Sequence, residues 1–70
     1  MKTIYKFIHF EVLEEKPKTK VWGCFNNSTS SLLGHVKWYA PWRQYCYFPA
    51  TIAMYSAGCL DDINDFIGLL

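Results

Sequence analysis

Lys37 and Arg43 stand among Trp38, Tyr39, Trp42, Tyr45, Tyr47 and Phe48 in the stretch "KWYAPWRQYCYF". Aromatic rings stack on the planar faces of ligands, and neighbouring cations meet phosphate, so this mixture suits a phosphate-bearing ligand such as a nucleotide or a single strand of nucleic acid. Arg43 is the better anion clamp of the two cations, because its planar fork can bind two oxygens at once. Tyr, Trp and Arg are also the residues that anchor protein interfaces, so the same surface equally suits a second subunit or a partner protein.

The other reactive side chains form no recognisable constellation. Cys24, Cys46 and Cys59 lie 22 and 13 residues apart with no C-x-x-C pair, and with only His9 and His35 to join them no metal site is expected. Small buried hydrophobe is the expected role of each cysteine. Asp61, Asp62 and Asp65 fall on a terminal helix and Glu14 and Glu15 at a strand end, where solvation is the default. With no P-loop, no G-x-G-x-x-G and no G-x-S-x-G, neither an enzyme nor a cofactor is expected.

The elements that must position the aromatic and basic residues follow from periodicity. "IYKFIHFEVLE" (Ile4–Glu14) alternates Ile4, Ile8, Phe10 and Val12 with Tyr5, Phe7, His9 and Glu11 and reads as a long first strand. "EKPKTK" breaks it, "KVWGCF" (Lys20–Phe25) is a second strand whose Gly23 marks a bulge or a close approach, and "NNSTSS" is a turn. "LLGHVKWYA" (Leu32–Ala40) and "RQYCYFP" (Arg43–Pro49) are the third and fourth strands, and "ATIAMY" a short extended segment. In "SAGCLDDINDFIGLL" the residues Leu60, Ile63, Phe66, Ile67 and Leu70 recur at helical spacing, with Ser56 as N-cap and the aspartates opposite. The expected fold is therefore α+β: one domain over residues 1–70, a four-stranded antiparallel β-meander with one C-terminal helix packed on one face.

Such a sheet leaves its second face uncovered, and the hairpin around Pro41 and Trp42 decides which residues lie there. A two-residue loop pairs Lys37 with Cys46 and Trp38 with Tyr45, mixing charged and apolar residues on each face. A three-residue loop, Pro41 to Arg43, pairs Tyr39 with Tyr45 and Lys37 with Tyr47 on one face, and Trp38 with Cys46 and Val36 with Phe48 on the other. Only the latter segregates the two sets. It predicts Val36, Trp38, Cys46 and Phe48 as core beneath the helix, and His35, Lys37, Tyr39, Tyr45 and Tyr47 on the open face with Trp42 and Arg43 at its rim. Those seven are the candidate ligand-binding residues. The same register sends Cys46 and His35 to opposite faces, against a Cys–His nucleophile pair.

Composition narrows the setting. The chain has 70 residues, 51% of them hydrophobic and thirteen aromatic, more apolar surface than one helix on a four-stranded sheet covers, so a homodimer or higher homo-oligomer is expected. The net charge of +1 is unevenly placed: Lys16, Lys18, Lys20, Lys37 and Arg43 are all in the middle of the chain, while residues 44–70 carry only acids. No apolar run reaches the roughly 20 residues of a membrane span, and the first residues lack the apolar stretch of a signal peptide, so no membrane contact and a cytoplasmic location with free thiols are expected.

"LGHVKWYAPWRQYCYFP" followed by "GCLDDINDFI" resembles a group of small uncharacterised bacterial and phage proteins. They share a K-W-Y-x-P-W-R-x-Y-x-F-x-P block and a C-terminal C-L-x-x-I-x-x-F-I helix. Tyr47 stands where that block has phenylalanine, a change that keeps the ring. The resemblance spans about residues 32–67 and brings no catalytic residues with it. It implies a context in which small proteins act stoichiometrically on host machinery or signals. The expected function is thus non-catalytic binding of a phosphate-bearing ligand, foremost a nucleotide signal sequestered from a host defence system; the alternative is an inhibitor or adaptor that grips a host enzyme through the same aromatic surface.

Overall fold

The computed structural model describes residues 1–70. It contains strands β1 (Ile8–Glu15), β2 (Lys20–Asn26), β3 (Leu32–Tyr39) and β4 (Gln44–Pro49), followed by helix α1 (Ala57–Gly68). The strands form one antiparallel sheet in the order β1-β2-β3-β4, the expected meander. No helix is long and apolar enough to cross a membrane.

Local chemistry accounts for the connections. Ser56 caps α1 by accepting a hydrogen bond from the Cys59 amide at 3.1 Å, as its position before the apolar repeat predicts. In the β2–β3 turn the Asn26 side chain accepts from the amides of Ser28 and Thr29, which closes the loop over a left-handed Ser30. Residues 50–55 form a loop with one turn instead of the expected extended segment.

The first strand starts at Ile8, four residues later than its alternation predicts. The chain before it folds back: the Tyr5 amide donates to the Ile8 carbonyl and the Phe10 amide to the Thr3 carbonyl, both at 2.8 Å, and Ile4 bridges His9. This reversal turns Tyr5 inward, although alternation placed it opposite Ile8. Its hydroxyl donates to Asp65 Oδ2 on α1 at 2.7 Å, and burial together with that hydrogen bond pushes its pKa up to about 12.

The core lies between the sheet and α1. Ile63 and Phe66 of the helix meet Tyr5, Ile8, Phe10, Trp22, Cys24 and Val36. Phe66 stacks on Phe10 with centroids 3.9 Å apart and meets the Trp22 ring edge-on at 5.1 Å. Burial raises the Cys24 thiol pKa to about 11, so this cysteine is the small hydrophobe the sequence suggests. Leu60 is largely exposed, so the packed stripe of α1 is Ile63, Phe66 and Ile67.

The β3–β4 register differs from the expected one. Ala40 joins Pro41, Trp42 and Arg43 in a four-residue loop, a turn of 3-10 helix over Ala40–Trp42 closed by the Arg43 amide donating to the Ala40 carbonyl. Arg43 then takes a left-handed conformation (φ 52°, ψ 45°) that redirects the chain into β4. An even loop pairs Tyr39 with Gln44, Trp38 with Tyr45, Lys37 with Cys46, Val36 with Tyr47 and His35 with Phe48. Every β4 side chain is therefore on the face opposite to the one expected. Cys46 and Phe48 leave the predicted core, Trp38 is 42% exposed, and of those four residues only Val36 is buried.

Segregation of charged from apolar residues was the wrong criterion, because tyrosine here is a core residue with a satisfied hydroxyl. Tyr47 Oη donates to Tyr55 Oη at 3.0 Å, and Tyr55 Oη donates to the Leu33 carbonyl. Burial, with the bond to Tyr55, drives the Tyr47 pKa upward. Gly34 makes this possible: a Cβ there would come 2.5 Å from Tyr47 Oη and 2.7 Å from the Phe48 carbonyl oxygen. Gly34→Ala should destabilise the fold by about 1–3 kcal/mol, since the opposing backbone cannot yield freely. Chemical denaturation checks this, with Gly68→Ala, where an added Cβ meets nothing within 4 Å, as the control.

Candidate functional site

The open face gathers part of the predicted set. His35, Lys37 and Tyr39 of β3 lie on it, joined by Phe48 and Cys46 of β4. Lys37 Nζ sits 4.6 Å over the Phe48 ring, and Tyr39 meets Trp42 and Phe48 edge-on at 5.2 and 6.0 Å. Trp42 is 66% exposed, and Arg43 is exposed beside it at the end of the loop. Tyr45 and Tyr47, predicted for this face, point to the helix side and pack against the core. His35 and Cys46 share a face after all, which removes the geometric objection to their pairing; Cys46 Sγ is engaged by the Gln44 carbonyl at 3.8 Å.

The same face carries a closed polar cluster at its β1 edge. His9 stacks on Phe25, its Nδ1 meets Asn27 Oδ1 at 2.6 Å and its Nε2 meets Glu11 Oε2 at 2.8 Å. The Asn27 amide nitrogen donates to the Tyr5 carbonyl, which turns its oxygen toward the ring. With an acceptor at each nitrogen the imidazolium is the favoured form, and these two bonds, Asn27 first, raise the His9 pKa above its ordinary 6.5. A raised folded pKa stabilises fully below pH 6.5, and the contribution is lost as pH rises through the folded value. The denaturation midpoint should therefore fall between about pH 6 and about pH 8 in the parent by more than in His9→Asn. Equal falls would show that the cluster contributes nothing.

None of the three cavities of the molecule is lined by His35, Lys37, Tyr39, Trp42 or Arg43. Two of the three adjoin each other on the helix side, where the β1–β2 loop (residues 16–19) bends beside the ends of β3 and β4. The first, of about 420 Å³, is bounded by Lys16, Lys18 and Lys20, by Thr19, Trp22 and Tyr45, and by the apolar Met1, Leu69 and Leu70. The second, of about 310 Å³, is bounded by Lys18, Thr19, Trp38 and Tyr45. Lys18, Thr19 and Tyr45 belong to both. Trp38 and Tyr45 meet edge-on at 5.5 Å, and Trp38 is half-exposed beside Lys18.

The electrostatics of these cavities favour an anion. Lys20 is 3.5 Å from Glu15 and 5.9 Å over the Trp22 ring, whereas Lys16 and Lys18 have neither a carboxylate partner nor an aromatic ring. Trp22 Nε1 is buried without a hydrogen-bond acceptor. Of the predicted ligand-binding residues, Tyr45 alone borders this site. Lys16, Lys18, Lys20, Trp22 and Trp38 were not among them.

The remaining cavity, of about 450 Å³, lies at the opposite end among Asn26, Leu32, Leu33, Ile52 and Met54 and has no charged wall. No three His, Cys, Asp or Glu side chains gather where they could hold a metal ion. No protein-family model, curated protein or solved structure matches the chain, so the likeness to the phage-type group rests on the two motifs alone.

Proposed function

We propose that the chain is a non-catalytic binding module for a nucleotide, with the base against Trp38 beside Tyr45 and the phosphate among Lys16, Lys18 and Lys20. One observation carries this reading: a cavity walled by three lysines adjoins a second walled by an exposed tryptophan, and Lys18 borders both. Stacking on one indole supplies about 1–3 kcal/mol and tolerates any base, while the lysines supply a charge-assisted grip on phosphate. Capture of a nucleotide signal from a host defence system, a role in keeping with the stoichiometric action that the phage-type resemblance implies, needs only this. Titration with ADP followed by tryptophan fluorescence tests it. Binding should weaken markedly as salt rises, because the contact is largely ionic. No change in fluorescence at millimolar ADP would refute it.

A second reading belongs to the open face. Trp42, 66% exposed against Tyr39, beside the Lys37–Phe48 pair, offers the anchors of a protein interface for a host enzyme or a second copy of this chain. Association there should depend little on salt. Sedimentation of the parent and of Trp42→Ala separates it from the nucleotide site, since Trp42 borders no cavity.

A further inference from the structure

We infer that the ligand carries two or more linked phosphates, so that the site selects nucleoside diphosphates and triphosphates over monophosphates. This rests on the nucleotide reading above and adds the length of the phosphate chain. Three lysines border the larger cavity, and the only carboxylate paired with any of them is Glu15, which engages Lys20 at 3.5 Å and is itself well exposed. Lys16 and Lys18 thus leave two positive charges unanswered. A monophosphate held by Lys18, the lysine common to both cavities, can satisfy one of them next to the base on Trp38. Lys16 borders only the larger cavity, away from Trp38. A second linked phosphate supplies the further negative charge that Lys16, on the wall of the larger cavity, can answer.

The space agrees with the charge. The lysine-walled cavity, at about 420 Å³, is larger than the tryptophan-walled one, at about 310 Å³, so the anionic part of the ligand has at least as much room as the base.

Calorimetric titration of the full chain with AMP, ADP and ATP, and competition of ADP by pyrophosphate or by inorganic phosphate, tests this. ADP should bind at least about tenfold more tightly than AMP, a difference of one additional charge-assisted contact. Pyrophosphate should displace ADP where equimolar phosphate does not. Lys16→Ala, checked for folding by circular dichroism, should bring the ADP-to-AMP ratio toward one. Equal affinities for AMP and ADP would overturn the inference and leave the nucleotide reading intact. Tighter binding of a short oligonucleotide than of ATP would overturn it in favour of a single strand, and no binding of any nucleotide would remove both readings.

Discussion

Phe66→Ala should unfold the domain, whereas Trp38→Ala should leave it folded. Phe66 is fully buried, stacked face to face on Phe10 and edge-on to Trp22, so it joins α1 to β1 and β2 at once. Truncating such a ring costs about 3–5 kcal/mol through lost transfer energy and the cavity left behind. That is comparable to the whole stability expected of so small a domain, native proteins in general having about 5–15 kcal/mol. Trp38 has the same parity on β3 as the buried Val36 but is not among the side chains packed against the core, and at 42% exposure its loss leaves little void. Far-ultraviolet circular dichroism and denaturant melts of the two variants check the contrast. A folded Phe66→Ala with an unfolded Trp38→Ala would show that the helix covers the other end of the sheet.

Lys18→Glu should cost about a hundredfold or more in nucleotide affinity while leaving the fold intact. Lys18 borders both cavities and has no carboxylate to release it from, so the substitution replaces the shared cation with a repelling anion. Truncating one member of a close charged pair costs about 2–5 kcal/mol, and each 1.4 kcal/mol is tenfold in affinity. The side chain is exposed and outside the core, so thermal melts should coincide with those of the parent. Arg43→Ala, in contrast, should change affinity little, because Arg43 borders no cavity. A large loss with Arg43→Ala and none with Lys18→Glu would return the site to the open face.

The helix and the order of the strands could be read from residues alone because their determinants are local. Ser56 precedes an apolar repeat at spacings of three and four, and the breaks at Pro17 and at the Asn26–Ser31 turn are marked by their own side chains. The β3–β4 register could not be read this way. Both loops satisfy the alternation of Val36 to Phe48, and the choice rests on Ala40 joining the loop, on a left-handed Arg43, and on hydroxyl partners 8 and 22 residues distant in the chain. The same distance hid the turn at Tyr5, whose partner Asp65 is 60 residues away.

The candidate site was missed for a different reason, since the signal for it was present. In an antiparallel meander the first and third connections share one end of the sheet, so the lysines of "EKPKTK" must stand beside Trp38 and Tyr45. By composition the stretch reads as a strand break, and its three cations as part of a basic middle region. Topology, once drawn, brings the two stretches together without any knowledge of register.

Nuclear magnetic resonance titration of the nitrogen-15-labelled chain with ADP tests the placement of the site most directly, because the three indole N–H groups report from three different places. Trp22 and Trp38 border the lysine-lined cavities, and Trp42 stands at the rim of the open face. The account predicts that the indole signals of Trp22 and Trp38 move together with the backbone amides of residues 16–20, while Trp42, His35 and Lys37 stay in place. Movement of Trp42, His35, Lys37 and Phe48 with silent lysine-loop amides would contradict it.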